Sequence, residues 1–458
     1  MSSASLIDGG LDDQVALVAA DESISYRELR TLVDDLRGEL SGLVFLRAEL
    51  NPASVSCLVA ALELGAPVLP LDAELAADSL ARLIDAYAPA LVVGFVAEPP
   101  DGYGATTLPG LDLPAWRRQG PASPTAPELA LLLSTSGSTG SPKLVRLSRA
   151  ALLANADAII AGLGIQPSDK AITALPYSYT YGLSIITSHL RAGATVVVSD
   201  ATVVSAGFWQ AVRDHQVTSL AGVPTTYQLL KRMRWDVASY PSVRYATQAG
   251  GRLPDADREH FRDQFARAGA TFYVMYGQTE ATARITITHP GDLMEAIATA
   301  GRVISGGALE IRHADERGVG EVWYRGPNVM LGYAEAAADL IRPDDVGGQL
   351  NTGDLGYLDG ELLFLTGRSK RIAKVFGKRV SLDDVDQWLA QRTSGVSVAG
   401  DDQVVAFVVD GDEAELRAGL AGLLHVHPSG VRVVRVPELP LLSSGKVDYQ
   451  DLNRRAVQ

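Results

Sequence analysis

Apolar positions along the chain switch between two periods. Arg27 to Leu40, Phe208 to His215 and Thr226 to Met233 carry them at helical spacing, and Ser148 stands where it can cap a helix from Arg149 to Leu163. Ala194 to Val198 is a β-branched run bounded by Gly193 and Asp200, and Thr218 to Val223 is strand-like. Val55 to Leu71 is the most apolar run, but Glu63, Gly65, Pro67 and Pro70 interrupt it, so it predicts a buried helix, turn and strand rather than a membrane span. Alternation of this kind predicts α/β layers with largely parallel sheets. From Glu310 the texture changes: EIRHA, GEVWYRG and GELLFLTGR are short strands with Gly turns, a small β-rich subdomain. Beyond Gly367 to Lys370 a small α+β domain is expected, with helices over Leu382 to Leu389 and Glu413 to Leu424 and strands over Val404 to Val409 and Val431 to Val436. The expected division is a large domain over 1–367 and a small one over 368–458, with Gly120 to Pro127 as a surface linker.

Composition narrows the class of protein. The 458 residues exceed one ordinary core, and 47% hydrophobic with 21% charged residues describes a globular chain. A net charge of −14 argues against a nucleic-acid partner, which needs a basic surface, and means that an anionic ligand must be held by local groups. The single cysteine, Cys57, lies in an apolar run, allows no internal disulfide and fits a reducing cytoplasm. The opening MSSASLIDGGLDDQ lacks the basic start and apolar core of a signal peptide, so a cytoplasmic monomer or homodimer without a membrane span is expected.

The chemistry concentrates in Leu131 to Leu147, LLLSTSGSTGSPKLVRL. Backbone N–H groups, hydroxyls and one mobile ammonium within about ten residues suit a polyphosphate. A solvated Ser/Gly linker would not be flanked by LALLL and VRLS, which read as a strand entering an anchored loop. The loop is not a Walker motif, because Pro142 separates Ser141 from Lys143 and Leu144 follows the lysine. Further motifs stand in order downstream: Tyr276-Gly277-Gln278-Thr279-Glu280, Asn351-Thr352-Gly353-Asp354, Thr366-Gly367-Arg368, Lys374 to Arg379, and Leu442-Ser443-Ser444-Gly445-Lys446.

Together these resemble the adenylate-forming superfamily of acyl-CoA synthetases, non-ribosomal-peptide-synthetase adenylation domains and luciferases. YSYTYGLS, MYGQTEATAR, YRGPNVMLGY and KVFGKRVSLDDVD resemble its bacterial acyl- and aryl-CoA-synthetase-like branch of specialised biosynthesis. The resemblance implies that Thr135, Ser136, Gly137, Ser138, Thr139, Gly140 and Lys143 cradle the phosphates of ATP. It implies Glu280 as the Mg²⁺ ligand, a role suited to a hard carboxylate, and Thr279 as a donor to the α-phosphate. Asp354 and Arg368 would hold the ribose, with Tyr276, Gly250 and Gly251 forming the adenine wall. Lys446 matches the catalytic lysine that bridges the attacking carboxylate and the α-phosphate. Because it lies in the small domain, that domain would act as a mobile lid. Lys370 takes the hinge position and Gly377 the loop that passes a pantetheine arm.

The implied activity is activation of a small carboxylic acid to an acyl-adenylate, with release of pyrophosphate, then transfer to CoA or to carrier-protein phosphopantetheine. Tyr177, Tyr179, Tyr181 and Thr247 are expected to line the acid pocket. Amino-acid-activating relatives place an Asp near the start of this segment, and none occurs between Ala174 and Thr187, which favours an aryl or medium acyl acid. The three tyrosines could equally mark a half-buried strand. Competing readings are capture of the adenylate by an amine, a non-catalytic nucleotide-binding protein, and a phosphohydrolase that would yield ADP and phosphate.

Overall fold

The computed structural model describes residues 5–20, 22–134, 143–368 and 371–456. Thr135 to Gly140 of the phosphate loop and the hinge residue Lys370 lie outside the described residues.

Two large sheets form the body. In the first, the strands run Arg302–Val303, Thr286–Ile287, Thr271–Tyr276, Tyr245–Gln248, Ser219–Gly222, Lys170–Ile172, Thr195–Val197, Val15–Val18 and Ser23–Ser25. Pairing is parallel from Thr271–Tyr276 through Val15–Val18 and antiparallel at both edges. In the second, Val44–Arg47, Val68–Leu71, Leu91–Val93 and Leu129–Ser134 form the parallel centre. The phosphate loop therefore leaves a central strand, Leu129–Ser134, and returns as its antiparallel neighbour, Leu144–Ser148. The largely parallel layering read from the sequence holds for the sheet centres.

Local chemistry sets the element ends. Ser25 and Glu28 form a capping box that starts the helix at Tyr26; it ends at Asp35, short of the expected Leu40. Ser148 Oγ accepts from the N–H of Ala151 at 3.0 Å and caps Arg149–Leu163 as read from the sequence. The expected strand at Ala194 to Val198 is Thr195–Val197, and the helix expected over Thr226 to Met233 begins earlier, at Pro224, with proline in its first turn. The Tyr177-to-Tyr181 stretch is not a strand: it is a turn that enters the helix Thr180–Arg191. The linker Gly120 to Pro127 contains no helix or strand. A hairpin before it, Tyr103–Leu108 with Leu111–Arg118, was not legible in the pattern.

The β-rich subdomain is a four-stranded antiparallel sheet, Ala308–Arg312, Gly320–Arg325, Gln349–Asp359 and Leu362–Arg368. Beyond it, the helices Leu382–Ala390 and Glu413–Leu424 pack on strands Gly395–Ala399, Val404–Val408 and Val431–Arg435. Val375, Val385, Leu389, Val404 and Leu420 give this smaller unit its own core. A last helix, Tyr449–Ala456, completes it. No helix among the described residues is long and apolar enough to cross a membrane.

Candidate active site

Parallel strands place their C-terminal ends, and the turns beyond them, along one crevice. Thr271–Tyr276 runs into Gly277-Gln278 and a short 3₁₀ turn, Thr279–Ala281. Glycine is required at 277, because a Cβ there would stand 1.8 Å from the carbonyl oxygen of Ala283. The turn aims Glu280 at Tyr333, whose hydroxyl donates to Glu280 Oε1 at 3.0 Å. The Lys143 ammonium lies 3.7 Å above the ring of that same tyrosine. The structure thus joins the end of the phosphate loop to Glu280 through Tyr333, a residue the sequence reading did not single out. Thr279 shares a hydrogen bond of 2.8 Å with Thr180 at the start of the helix Thr180–Arg191.

Asp354 sits between two partners. The Tyr276 hydroxyl donates to its Oδ2, and Arg368 Nε donates to its Oδ1 at 3.1 Å. Burial pushes the Asp354 carboxyl above its ordinary range, and Arg368 opposes that shift. Residues expected to meet adenine and ribose, Tyr276, Asp354 and Arg368, are therefore one bonded unit. Gly250 has φ +84°, and a Cβ there would lie 2.4 Å from Tyr179 Oη and 3.4 Å from Lys446 Cε. It is a close-approach glycine between the body and the small unit. Gly251 follows it, and its carbonyl accepts from Gln248 Nε2 at 2.9 Å.

Lys446 reaches into this crevice from the small unit. Its ammonium lies 4.3 Å over the Tyr179 ring, and the neighbouring Gly445 carbonyl accepts from Thr225 Oγ1 at 2.9 Å. Ser443 also bonds Asp72 across the same seam. Burial, with Arg368 and Arg284 nearby, pushes the Lys446 ammonium down to about 8, against the pull of Glu280. The Gly377 turn, with φ +78°, is placed elsewhere. It links Ile372–Val375 to Lys378–Ser381, where Phe376 N–H donates to Asp402 and Lys378 to the Leu424 carbonyl, all within the small unit.

The three tyrosines do not form one wall. Tyr177 is fully buried in the core beside the helix Pro52–Leu64, its hydroxyl engaged by Ser54 and by the Arg47 carbonyl. Tyr179 and Tyr181 stay together, edge to face at 6.2 Å. Turn geometry followed by a first helical turn destroys the period-two spacing that would have aligned all three. Tyr181 Oη bonds Thr247 at 2.7 Å, which brings Thr247 to the pair as expected. Above the Tyr181 ring, at 4.3 Å, lies Arg284, a buried residue the sequence reading missed. Its signal was present: one charge inside the apolar, β-branched run ATARITIT.

The donor set fits a magnesium nucleotide. Among the described residues no group of three or more His, Cys, Asp or Glu side chains could cage a metal by itself. An ion held by Glu280 would draw the rest of its shell from phosphates and water, which is the ordinary habit of Mg²⁺. In the same turn, Gln278 Nε2 is buried with no partner among the described residues, as is Gln248 Oε1 at the end of the next strand. Buried polar atoms are rarely left so unless a ligand completes them.

The profile of the AMP-binding enzyme family matches residues 9–334. The chain belongs to that family. An indoleacetate–CoA ligase of Aromatoleum aromaticum is 29% identical over 96% of this chain and 95% of its own length. A phenyloxazoline synthase, MbtB, of a Mycobacterium species is 28% identical over 97% of this chain, which spans only 40% of that relative. The O-succinylbenzoate CoA synthetase MenE of Bacillus subtilis, solved with ATP and magnesium ion, superimposes with a TM-score of 0.75 over 96% of this chain and 97% of its own; at 21% identity this likeness concerns the fold.

Proposed function

We propose that the protein is an AMP-forming acid–thiol ligase built as a body over 1–367 and a lid over 368–458. An acid carboxylate attacks the α-phosphorus of ATP, the bond to pyrophosphate breaks, and an acyl-adenylate forms. A thiol then attacks the acyl carbon and AMP departs. The observation that carries the reading is Lys446, brought from the small unit onto Tyr179 and within electrostatic reach of Glu280.

Charge builds on the phosphate oxygens in the first step, so oriented donors and cations there lower the barrier. Lys446 bridges the attacking carboxylate and the α-phosphate. Thr279 donates to that phosphate, and Lys143 with Thr135 to Gly140 holds the outer ones. Magnesium, when bound with ATP, neutralises phosphate charge; Glu280 would hold it, its Oε1 steadied by Tyr333. Asp354, already aligned by Tyr276 and Arg368, accepts from the ribose hydroxyls. The Gly377 turn serves the second step, after the lid has rotated about Lys370. Tyr179 and Tyr181 offer aromatic faces to an aryl or medium acyl chain, and the indoleacetate of the relative's name is such an acid. CoA, the thiol in the name of the indoleacetate–CoA ligase relative, is the proposed acceptor, with carrier-protein phosphopantetheine as the alternative thiol. The reaction takes place in the cytoplasm.

A panel of carboxylic acids, read by pyrophosphate release with and without CoA, tests this. Acid-dependent pyrophosphate with an acyl-CoA product supports it. Product formation only with an amine present would assign an amide ligase, and acid-independent ADP would assign a phosphohydrolase.

A further inference from the structure

The turn that carries Lys446 is closed on itself. Leu441 and Val447 pair across its base, the Leu442 N–H donates to the Lys446 carbonyl at 2.8 Å, and the Gly445 N–H donates to the Leu442 carbonyl at 2.8 Å. Ser443, Gly445 and Lys446 therefore move together, and a contact that fixes one of them fixes the backbone of the lysine. The turn also lies close against the body. Gly445 has φ +74°, and a Cβ there would stand 3.0 Å from Val223 Cγ2.

Two hydrogen bonds tie this turn to the body, and they come from different sheets. Asp72 follows Val68–Leu71, a central strand of the second sheet, and the Ser443 hydroxyl donates to its Oδ2. Thr225 stands in the first turn of Pro224–Arg232, the helix after the strand Ser219–Gly222 of the first sheet, and donates to the Gly445 carbonyl at 2.9 Å. Asp72 is itself braced. Its Oδ1 accepts from the Glu74 N–H at 2.9 Å, and its carbonyl accepts from the Leu75 N–H at 3.1 Å. One carboxylate oxygen thus fixes the side chain in its own turn, and the other faces the lid. A hydrogen bond at an exposed seam does little for folding. A lid with two orientations, however, responds to any contact made in only one of them.

We infer that Asp72 is a positioning residue for Lys446. With Thr225 it latches the lysine's turn in the orientation that makes the acyl-adenylate, and the latch opens when the lid rotates for the thiol. The inference rests on the ligase reading, in which Lys446 serves the first step alone.

Separate half-reactions of the full chain test it. Asp72→Ala and Ser443→Ala should each slow single-turnover formation of the acyl-adenylate about five- to tenfold, the size expected for losing a hydrogen bond to a charged group. Transfer from supplied acyl-adenylate to CoA should stay within about twofold of wild type or rise, because that step needs the latch open. Both substitutions remove the same contact, so the double variant should lose no more than either alone. Asp72→Asn keeps an acceptor oxygen and should retain most of the rate. Equal slowing of both half-reactions, multiplied losses in the double variant, or an unchanged first step in Asp72→Ala would overturn the inference. Spin labels on Glu98→Cys and Arg417→Cys, exposed positions of body and lid, read the latch without any acid, since Cys57 is buried. One narrow distance in the wild type that broadens in Asp72→Ala supports the latch, and the same distribution in both overturns it. A failed ligase reading would show separately, as no AMP from any acid, and the distance measurement would still decide the latch.

Discussion

The two sides of the crevice treat charge in opposite ways. On the nucleotide side, Asp354 is bonded to Tyr276 and Arg368, and Glu280 accepts from Tyr333. On the acid side, Lys446 and Arg284 lie over Tyr179 and Tyr181, and neither forms an ion pair among the described residues. An aromatic face attracts a cation but does not neutralise it. In the proposed ligase, the nucleotide side is thus assembled before ligand arrives, whereas the acid side keeps two cations in readiness. Preorganised donors serve a constant substrate, and uncompensated charge makes affinity depend on what the acid brings.

Each side can be broken separately. Lys446→Ala should have the largest effect, lowering adenylation roughly 10²–10³-fold while a supplied acyl-adenylate still reaches the thiol. Equal loss in both half-reactions, measured in single turnovers, would contradict a lysine that serves only the first. Glu280→Gln keeps the shape and removes the charge; pyrophosphate release at limiting Mg²⁺ should fall about a hundredfold and recover in part as the metal is raised. Near-normal rates at low Mg²⁺ would move the ion elsewhere. Asp354→Asn should raise the KM for ATP about tenfold with little change in acid preference, the size expected for losing a hydrogen bond to a charged group. A shift in acid ranking would mean that the two sides are not separable.

The pH profile sharpens the contrast. Lys446 is charged below about 8 and neutral above it, because burial beside Arg368 and Arg284 favours the neutral form. The kcat/KM for the acid should therefore decline as pH rises through about 8, a limb that Lys446→Arg should remove, since arginine keeps its charge. The same shift acts oppositely on folding. The unfolded chain holds this proton to higher pH than the folded one, so the contribution of Lys446 to stability improves as pH rises above about 8. The smallest effect is expected of Tyr179→Ala, a few-fold change in acid preference larger than any change in the KM for ATP.

The bonded cluster of Tyr276, Asp354 and Arg368 was legible in the sequence as candidate site residues because they come in contiguous motifs. YGQTE fixes a turn, whereas TGD falls at a register shift inside the strand Gln349–Asp359, where Gly353 has φ +74°; each places the side chain beside it. The acid side is assembled from separate elements: Tyr181 in a helix, Thr247 at a strand end and Arg284 after a 3₁₀ turn. No local spacing links them, so the pattern does not point to Arg284, and the spacing of the tyrosines does not reveal that Tyr177 packs in a different cluster from Tyr179 and Tyr181. Helix–strand alternation placed most of the elements it predicts within a few residues of those observed. The missed hairpin carries Pro114 inside its second strand, which disguises a strand by removing a ladder donor.

The central claim is that this crevice joins AMP to a carboxylate. ATP labelled at the α-phosphorus, incubated with protein, Mg²⁺ and an acid drawn from the panel, measures it directly. The account predicts acid-dependent label in acyl-adenylate and AMP, with pyrophosphate released in equal amount. Label appearing in ADP, or in AMP regardless of acid, would contradict it.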